Sequence, residues 1–395
     1  MSGLLRRVGV FLAGAGAAFV LSCTGFAAGG IAAGSIARTP TPSRPIEGFG
    51  LFWEAWTIVE RDFVGDVPPE EEVHRGAARG LLRALGDPAT GLIAPEFARL
   101  DREDSSGYYR GIGASVRYGA HGYVEIAVVF AGSPADEAGL RPGDVILSVD
   151  GEDMAGVGLY EVVSRIRGPE GTHVEIEFRR PGVESTFTRL LERREIEIPT
   201  VTLEVLEGGI GHLALSDFNG RATAQLRDQL RQARRAGVTA LILDLRGNPG
   251  GYLDQAVSVA DEFLDRGTVV VERGREVPEK AYGSHEGGLA TDMELVVLVN
   301  EGSASASEIV AGAVQALGRG TVIGTRTFGK GSVQYAFDLS DGSQIRVTTA
   351  LWYTPDDRLI QGEGLEPDIT VADDPETEVD EPLEAAVLYL KERAD

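Results

Sequence analysis

Three serines stand at a point in the chain where a side chain could act as a nucleophile. Ser303, Ser305 and Ser307 follow an apolar stretch, Glu294–Val299, and precede a helix-period pattern that begins at Ile309. The stretch predicts a buried strand, and the pattern predicts an amphipathic helix. A serine at such a strand-to-helix turn lies beside backbone N–H groups that lack intrahelical partners, and those groups can bind an oxyanion.

Helix capping is the simpler explanation for the same three serines. Serine is among the residues preferred at the start of a helix, where its side chain accepts a hydrogen bond from the backbone. Only a reactive serine needs a base to take its proton. The choice between the two interpretations therefore depends on finding a base elsewhere in the chain.

Lys330 is the best candidate for that base. Gly329 and Gly331 flank it, so the backbone there can approach another segment closely, and apolar strands are predicted on both sides. At its ordinary pKa of about 10.4, a lysine is protonated at neutral pH and cannot accept a proton. Burial can lower that pKa by up to about 3–5 units, which would allow a Ser–Lys pair in place of a histidine triad.

Two other interpretations of Lys330 compete with this one. It can be an ordinary solvated lysine, or it can belong to a phosphate-binding loop, because residues 324–330 match the pattern GxxxxGK. The phosphate interpretation fails at Gly331, which stands where Ser or Thr would hold Mg²⁺. The residues that follow alternate as a strand, whereas a phosphate loop must open a helix. We therefore reject nucleotide binding.

Histidine and cysteine usage argues against several other kinds of site. The five histidines are scattered without HExxH spacing, which disfavours a zinc hydrolase, and His285 lies in a glycine-rich loop typical of solvated residues. Cys23 is the single cysteine, so the chain can form neither an intrachain disulfide nor a thiolate-rich metal site. We expect no metal and no cofactor.

The N-terminal segment, residues 1–37, predicts a membrane anchor. Arg6 and Arg7 precede an uncharged stretch that is long enough to span a bilayer, with the remainder of the chain outside the cytoplasm. Cleavage as a signal peptide and lipid attachment at Cys23 are the alternatives. The net charge of −24 argues against nucleic acid as a partner, since a basic patch is the usual footprint of such binding.

The 395 residues are enough for two to three domains. After a proline-rich linker at 38–46, residues 47–104 predict a helical region whose aromatic stripe would pack in a core. Residues 105–182 predict a separate strand-rich module. Residues 183–371 alternate strands with helices, which is typical of a layered α/β core, and 372–395 form an acidic loop and a closing helix.

The strand-rich module resembles a PDZ domain. Its run SPADEAGLRPGDVILSVDGE is typical of that family, and a glycine-containing turn leads into its first predicted strand. The resemblance implies that backbone N–H groups of this turn hold a peptide's terminal carboxylate while the peptide adds a strand to the sheet edge. The residues of the turn are Arg110, Gly111, Ile112 and Gly113.

The whole set of motifs resembles the carboxyl-terminal processing proteases. GSASASE, FGKGSVQ, DLRGNPGG and the PDZ module occur here at compatible spacing. The resemblance implies a crotonase/ClpP-like layered α/β core with an inserted PDZ domain and a small N-terminal helical domain. It implies that Ser305 is the nucleophile, that Lys330 is the general base and that Gln334 orients the lysine. Their even separation would place Lys330 and Gln334 on one face of an extended segment.

The resemblance also implies an oxyanion hole, and the sequence departs from the family pattern at one point. The N–H groups of Gly250 and Ala306 would form the hole, with Gly251 as a substitute for Gly250. Residues 87–90 read Asp-Pro-Ala-Thr where the family has Asp-Pro-His-Ser/Thr. We expect this run to touch no catalytic residue.

The predicted function is that of a serine endopeptidase which binds and cleaves the C-terminal tails of extracytoplasmic proteins. Self-association is possible. One alternative is a catalytically inactive, membrane-anchored PDZ scaffold, although the presence of Ser305, Lys330 and Gln334 argues against it. A second is a crotonase-type acyl-CoA enzyme, which the PDZ module and the extracytoplasmic placement disfavour.

Overall fold

The computed structural model describes residues 49–119, 122–275, 278–374, 376–377 and 379–394. The predicted anchor at 1–37 and the linker at 38–46 lie outside these residues. Within the described part of the chain, no helix combines the length and apolar character that crossing a bilayer requires.

The N-terminal region is mostly helical and ends in a short strand and a third helix. Its elements are α1 (Gly50–Asp62), α2 (Glu70–Arg83), β1 (Gly91–Ile93) and α3 (Pro95–Ser106). The expectation that the aromatic stripe packs in a core is wrong for the described chain. No residue of α1 is buried, and Trp53 is 58% exposed, because no described element covers that face.

A second group of elements forms a six-stranded sheet, a separate two-stranded sheet and two short helices. These are β2 (Tyr108–Gly111), β3 (Ala114–Tyr118), β4 (Val124–Val129), α4 (Pro134–Glu137), β5 (Val145–Val149), β6 (Glu152–Asp153), α5 (Leu159–Ile166), β7 (His173–Arg179), β8 (Thr186–Glu192) and β9 (Arg194–Glu197). The sheet has the order β3–β4–β5–β7–β8, with β6 beside β5, so β3 is an edge strand.

This module extends past the predicted boundary at residue 182. Strand β8 pairs antiparallel with β7 along its whole length, and Leu191 is buried in the module's core with Phe187 packed against it. The turn at Pro181 and Gly182 is a hairpin turn between β7 and β8 of the sheet. Strands β2 and β9 pair with each other where the chain enters and leaves the module.

The remaining elements form the core of the protein. They are β10 (Val201–Leu206), β11 (Ile210–Leu215), α6 (Ala222–Arg235), β12 (Ala240–Asp244), α7 (Leu253–Asp261), β13 (Gly267–Gly274), β14 (Lys280–Ser284), β15 (Glu294–Val299), α8 (Ala306–Ala316), β16 (Thr321–Gly324), β17 (Ser332–Asp338), β18 (Gln344–Tyr353), β19 (Ile369–Thr370) and α9 (Glu381–Ala394).

Two sheets organise this core. The first has the order β10–β11–β12–β15–β16–β19 and is parallel except for β10. The second has the order β1–β18–β13–β14, with β17 beside β18, so the N-terminal region contributes a strand to it. The fold is therefore an α/β core with an inserted small domain and an N-terminal helical region.

The central parallel strands are apolar on both faces because helices cover both sides of the sheet. Leu241 and Leu243 of β12 pack in the cluster that contains α6, α7 and α8. Ile242, between them, packs with Ala386 and Leu390 of α9 on the opposite face. Alternation along β12 thus assigns each side chain to one face, and the carboxyl ends of β12 and β15 lie side by side.

Candidate functional site

Ser305 occupies the turn between β15 and α8, at the N-cap position of the helix. Its backbone has φ 53° and ψ −111°, a conformation that a non-glycine residue rarely adopts, and the residue is only 4% exposed. An ordinary N-cap has extended backbone. Strain of this kind is retained where the surroundings enforce it, and a serine on a strained strand-to-helix turn is a known device for presenting a nucleophile.

The neighbouring serines have structural hydrogen bonds instead. Ser303 Oγ donates to the carbonyl of Leu245 over 2.8 Å and accepts from the N–H of Asn300. Ser307 Oγ donates to the carbonyl of Asn248 over 2.9 Å. Ser303 in the turn and Ser307 at the start of α8 are therefore both hydrogen-bonded to the segment that follows β12. This leaves Ser305 as the candidate nucleophile of the three.

The glycine-rich turn after β12 lies directly against Ser305. A Cβ atom on Gly250, which has φ 109°, would lie 2.8 Å from Ser305 Cβ and 3.0 Å from the N atom of Ala306. Only glycine therefore fits there. The N–H of Gly250 donates to Asn248 Oδ1 over 2.9 Å. Among the described residues, no acceptor is found for the N–H groups of Gly251 and Ala306, which both line the small cavity beside Ser305.

Lys330 is buried, with 5% exposure, and its backbone is held on both sides. Glu308 Oε2 accepts its N–H over 2.9 Å, and the indole N–H of Trp352 donates to its carbonyl over 3.1 Å. The flanking glycines permit the close approach that the sequence predicts. A Cβ on Gly329 would lie 2.8 Å from the N atom of Gly364.

Glu308 connects the two candidate catalytic residues, and the sequence analysis gave it no role. Its Oε2 also accepts the N–H of Ser305 over 2.8 Å, while Oε1 accepts the N–H of Gly329 over 2.7 Å and the hydroxyl of Thr327. Burial raises the pKa of Glu308, and these hydrogen bonds oppose the rise. The signal in the sequence was a glutamate three residues after the N-cap, the position of a capping box.

Gln334 is buried in β17 opposite Thr348 of β18. Its Nε2 donates to Ser332 Oγ over 2.8 Å and to Thr348 Oγ1 over 3.2 Å. Lys330 lies two residues before β17 begins at Ser332, and the β-bulge opposite Val333 and Gln334 has its extra residue, Thr349, on β18. That Lys330 and Gln334 share one face stays a prediction.

A buried histidine also lies beside a carboxylate, but on the wrong side of the sheet. His212 Nε2 is 3.0 Å from Asp244 Oδ2. Burial tends to raise the pKa of Asp244, yet hydrogen bonds from His212 and Arg246 hold it well below its ordinary value. Asp244 shares the face of β12 that packs on α9, whereas α8 covers the other face. This pair therefore does not supply a base for Ser305.

The structure places only two of the four residues of the predicted peptide-binding turn outside a strand. Arg110 and Gly111 belong to β2 and pair with β9, and Arg110 lies 3.7 Å from Glu195 as an exposed ion pair. Ile112 and Gly113 follow the strand; among the described residues no acceptor is found for the N–H of Ile112, and the N–H of Gly113 is directed toward the hydroxyl of Tyr109. These two residues lead into β3, whose outer edge is not paired in the described chain.

The arrangement suits acyl transfer by a serine. A strained, buried serine is joined through one carboxylate to the backbone of a buried lysine, and N–H groups without acceptors lie beside the serine. A serine-type hydrolase is the class of protein that this core and site define.

Comparison with known proteins places the chain within that class. It matches peptidase family S41 over residues 209–371 and a PDZ domain over residues 125–180. The carboxy-terminal-processing protease of Bartonella bacilliformis is 38% identical over 310 residues, which are 77% of this chain and 71% of that protein. The chain belongs to the carboxy-terminal-processing protease family of serine-type S41 peptidases, and it carries that family's PDZ domain.

Other relatives agree at lower coverage or lower identity. A CtpA-like serine protease of Staphylococcus aureus is 35% identical over 303 residues, or 76% of this chain, and the match spans 60% of that protein's length. The structure of an S41 protease from Bacteroides fragilis is similar with a TM-score of 0.52 at 17% identity, covering 91% of this chain and 100% of that one. This second similarity supports the fold.

The substitution Glu308→Gln tests whether this carboxylate aligns the site. A carboxamide has one acceptor oxygen, so its NH₂ group must face backbone N–H donors, and each donor left unpaired costs about 1–3 kcal/mol. We expect peptidase activity to fall by about a hundred-fold, because small displacements of reacting groups have effects of that size. Steady-state hydrolysis of an unstructured protein substrate measures it.

Glu301→Gln is the matched control. Glu301 is exposed in the turn between β15 and α8 and contacts only Thr325 Oγ1 among the described residues. We expect this variant to keep wild-type turnover. Wild-type turnover by Glu308→Gln would show that the carboxylate does not align Ser305 and Lys330.

Proposed function

We propose that the protein is a serine endopeptidase that uses a Ser305–Lys330 dyad to cleave near the C-terminal tails of extracytoplasmic proteins. The observation that carries this proposal is the shared carboxylate of Glu308, which accepts backbone N–H groups from both residues within one buried site. Family membership supports the reaction class, and this contact supports the choice of residues.

Burial provides the chemical basis for lysine as the base. Lys330 is 5% exposed, so little water is present to stabilise its ammonium form, and its pKa is expected below the ordinary value. The neutral amine takes the proton of Ser305 Oγ as the oxygen attacks a peptide carbonyl. The resulting ammonium returns the proton to the leaving amine, and water then hydrolyses the acyl-enzyme by the same base.

The oxyanion hole is proposed to include the N–H groups of Ala306 and of the glycine-rich turn. By resemblance, the sequence predicts Gly250 as the second N–H donor, with Gly251 as the substitute. Two observations favour Gly251: the N–H of Gly250 already donates to Asn248 Oδ1, and Gly251 lines the cavity together with Ser305 and Ala306. Gly250 then serves by allowing the turn to lie against Ser305.

The cavity beside Ser305 favours a small apolar substrate side chain at the cut. Its other walls are Ser332 and four apolar residues, Leu253, Ile309, Val333 and Trp352. Transfer of an apolar side chain from water to such a lining lowers the free energy of binding, whereas a charged side chain would lose its hydration without gaining a partner. Alanine and valine are the side chains that we propose here.

The PDZ domain is proposed to capture the tail of the substrate. The N–H groups of Ile112 and Gly113 would bind the terminal carboxylate, and the peptide would pair with the outer edge of β3. The N-terminal segment would hold the enzyme at a membrane, facing away from the cytoplasm. The domain division at residues 47–104, 105–192 and 193–371 follows the elements described above.

Ser305→Ala and Lys330→Ala test the dyad. Each should reduce cleavage of an unstructured protein such as casein by at least about a thousand-fold, since either change removes a component of one catalytic unit. Circular dichroism should show an unchanged fold. A fluorophosphonate probe should label the native chain and not Ser305→Ala. No labelling of the native chain, with no cleavage, would support the inactive-scaffold alternative, and normal turnover by either variant would exclude the dyad.

The pH dependence tests the protonation state of the base. Only the neutral amine accepts a proton, so kcat/KM should be low at acidic pH, rise as Lys330 loses its proton and then level off. The rise should occur below the ordinary lysine pKa of about 10.4. Initial rates between about pH 6 and 10 measure it. A flat profile over this range would contradict lysine as the base.

Amidation of a substrate's C-terminus tests capture by the PDZ domain. The amide removes the negative charge that the N–H groups of Ile112 and Gly113 would bind, so KM for a tail peptide should rise by about ten-fold or more with little change in kcat. Equal kinetics for the acid and amide forms would remove carboxylate capture from the proposal.

A further inference from the structure

The turn that precedes β1 brings a carboxylate from the N-terminal region to the candidate base. Strand β1 pairs antiparallel with β18, with Gly91 opposite Arg346. The residues just before Gly91 therefore lie against the part of β18 that continues from Arg346 to Thr348. Thr348 is also the residue opposite Gln334 across the β17–β18 pair.

Hydrogen bonds fix the position of Asp87 in this turn. Its Oδ1 accepts the N–H of Ala89 over 3.0 Å, and its Oδ2 accepts the hydroxyl of Thr90 over 2.6 Å. Thr90 Oγ1, which is buried, in turn accepts the N–H of Thr348 over 3.0 Å. The turn is thus bonded directly to the strand that faces Gln334.

The side chain of Thr348 lies between Asp87 and Gln334. Burial acts to raise the pKa of Asp87, but hydrogen bonds from Thr348 and Thr90 and the charge of Lys330 hold it below its ordinary value. The carboxylate is therefore ionised at neutral pH and can only accept hydrogen bonds. The oxygen of Thr348 accepts from Gln334 Nε2 over 3.2 Å, which leaves the hydroxyl hydrogen of Thr348 available to the carboxylate of Asp87.

The hydrogen-bond direction at Thr348 determines which way the carboxamide of Gln334 points. Its Nε2 donates to Thr348 Oγ1 and to Ser332 Oγ. Its Oε1 is buried and has no hydrogen-bond partner among the described residues. An amide oxygen in that setting can accept a further hydrogen bond, and Lys330 lies within electrostatic range of the same Asp87 carboxylate.

We propose that Asp87 is a positioning residue for the catalytic base, acting through Thr348 to present the carboxamide oxygen of Gln334 to Lys330. The inference rests on the proposed Ser305–Lys330 dyad. Residues 87–90 have no hydrogen bond to a candidate catalytic residue in the described chain, and they are connected to Gln334 through Thr348. The N-terminal region is then part of the active site.

Asp87→Asn tests the proposal, because asparagine keeps the size of the side chain and removes the charge. Its NH₂ group donates where the carboxylate accepted, which reverses the hydrogen-bond direction through Thr348 and favours the opposite orientation of Gln334. We expect kcat on an unstructured protein substrate to fall between about ten- and a hundred-fold, with KM unchanged.

The pH profile of the same variant separates positioning from a general loss of stability. Asp87 lies within electrostatic range of Lys330, and the carboxylate of Glu308 accepts the backbone N–H of Lys330. Removing the negative charge of Asp87 disfavours the ammonium form, so the acidic limb of kcat/KM should move to lower pH. A merely structural defect would lower the amount of active enzyme and leave the limb in place.

Substitutions at Thr348 test the same proposal without changing the charge of Asp87. Thr348→Val is nearly isosteric and removes the hydroxyl, so kcat should fall by about ten-fold without a downward shift of the acidic limb. Thr348→Ser restores the hydroxyl and should recover most of the activity. Equal activity of the Val and Ser variants would overturn the proposal.

Asp341→Asn is the matched control for Asp87→Asn. Asp341 accepts from the N–H and hydroxyl of Ser343 in the turn at the far end of the β17–β18 hairpin, and it contacts Arg75 of α2. It joins the same two regions without reaching Thr348, so kcat and the pH profile should stay at wild type. An effect equal to that of Asp87→Asn would reduce the role of Asp87 to holding the regions together.

The outcomes also distinguish this inference from the proposed function. If Lys330→Ala is inactive while Asp87→Asn has full activity and an unshifted pH profile, the positioning role of Asp87 is excluded and the dyad is retained. An active Lys330→Ala would remove the dyad itself, whatever Asp87→Asn does.

Discussion

A single buried carboxylate joins the two segments that meet at the candidate site. Glu308 accepts N–H groups from Ser305 on α8 and from Gly329 and Lys330 in the loop before β17. Moving the helix away from the loop would leave buried donors without partners, at about 1–3 kcal/mol each. The relative position of serine and lysine is therefore set through their backbones. This arrangement also explains how Ser305 can keep a strained conformation.

Close backbone approach is the second constraint, and glycines make it possible. Gly250 lies against Ser305, where a Cβ would meet both Ser305 and Ala306. Gly324, at the end of β16, leaves no room for a Cβ beside the carbonyl of Val299, the last residue of β15. Strands and turns are thus packed at backbone distance around the serine.

The regions outside the core meet it at the strands that carry the site. Strand β1 of the N-terminal region pairs with β18, and the adjoining turn bonds to Thr348 opposite Gln334. The PDZ domain enters and leaves through the β2–β9 pair, and Arg167 at the end of α5 binds Asp104 over 2.7 Å and stacks on Tyr109. The buried polar groups of the site are therefore bonded to a region that contains no candidate catalytic group by sequence.

The sequence alone determined the elements and the local chemistry. Continuous apolar runs specified strands such as Glu294–Val299 and Ile210–Leu215, and the motifs around Ser305 and Lys330 indicated a serine peptidase with a PDZ domain. Only the tertiary structure assigned Glu308, showed that His212 faces away from α8 and brought Thr90, beside Asp87, to Thr348. The physical reason is that patterns report short-range periodicity, whereas hydrogen-bond partners 22 or 258 residues apart depend on how strands pair and which face each side chain takes.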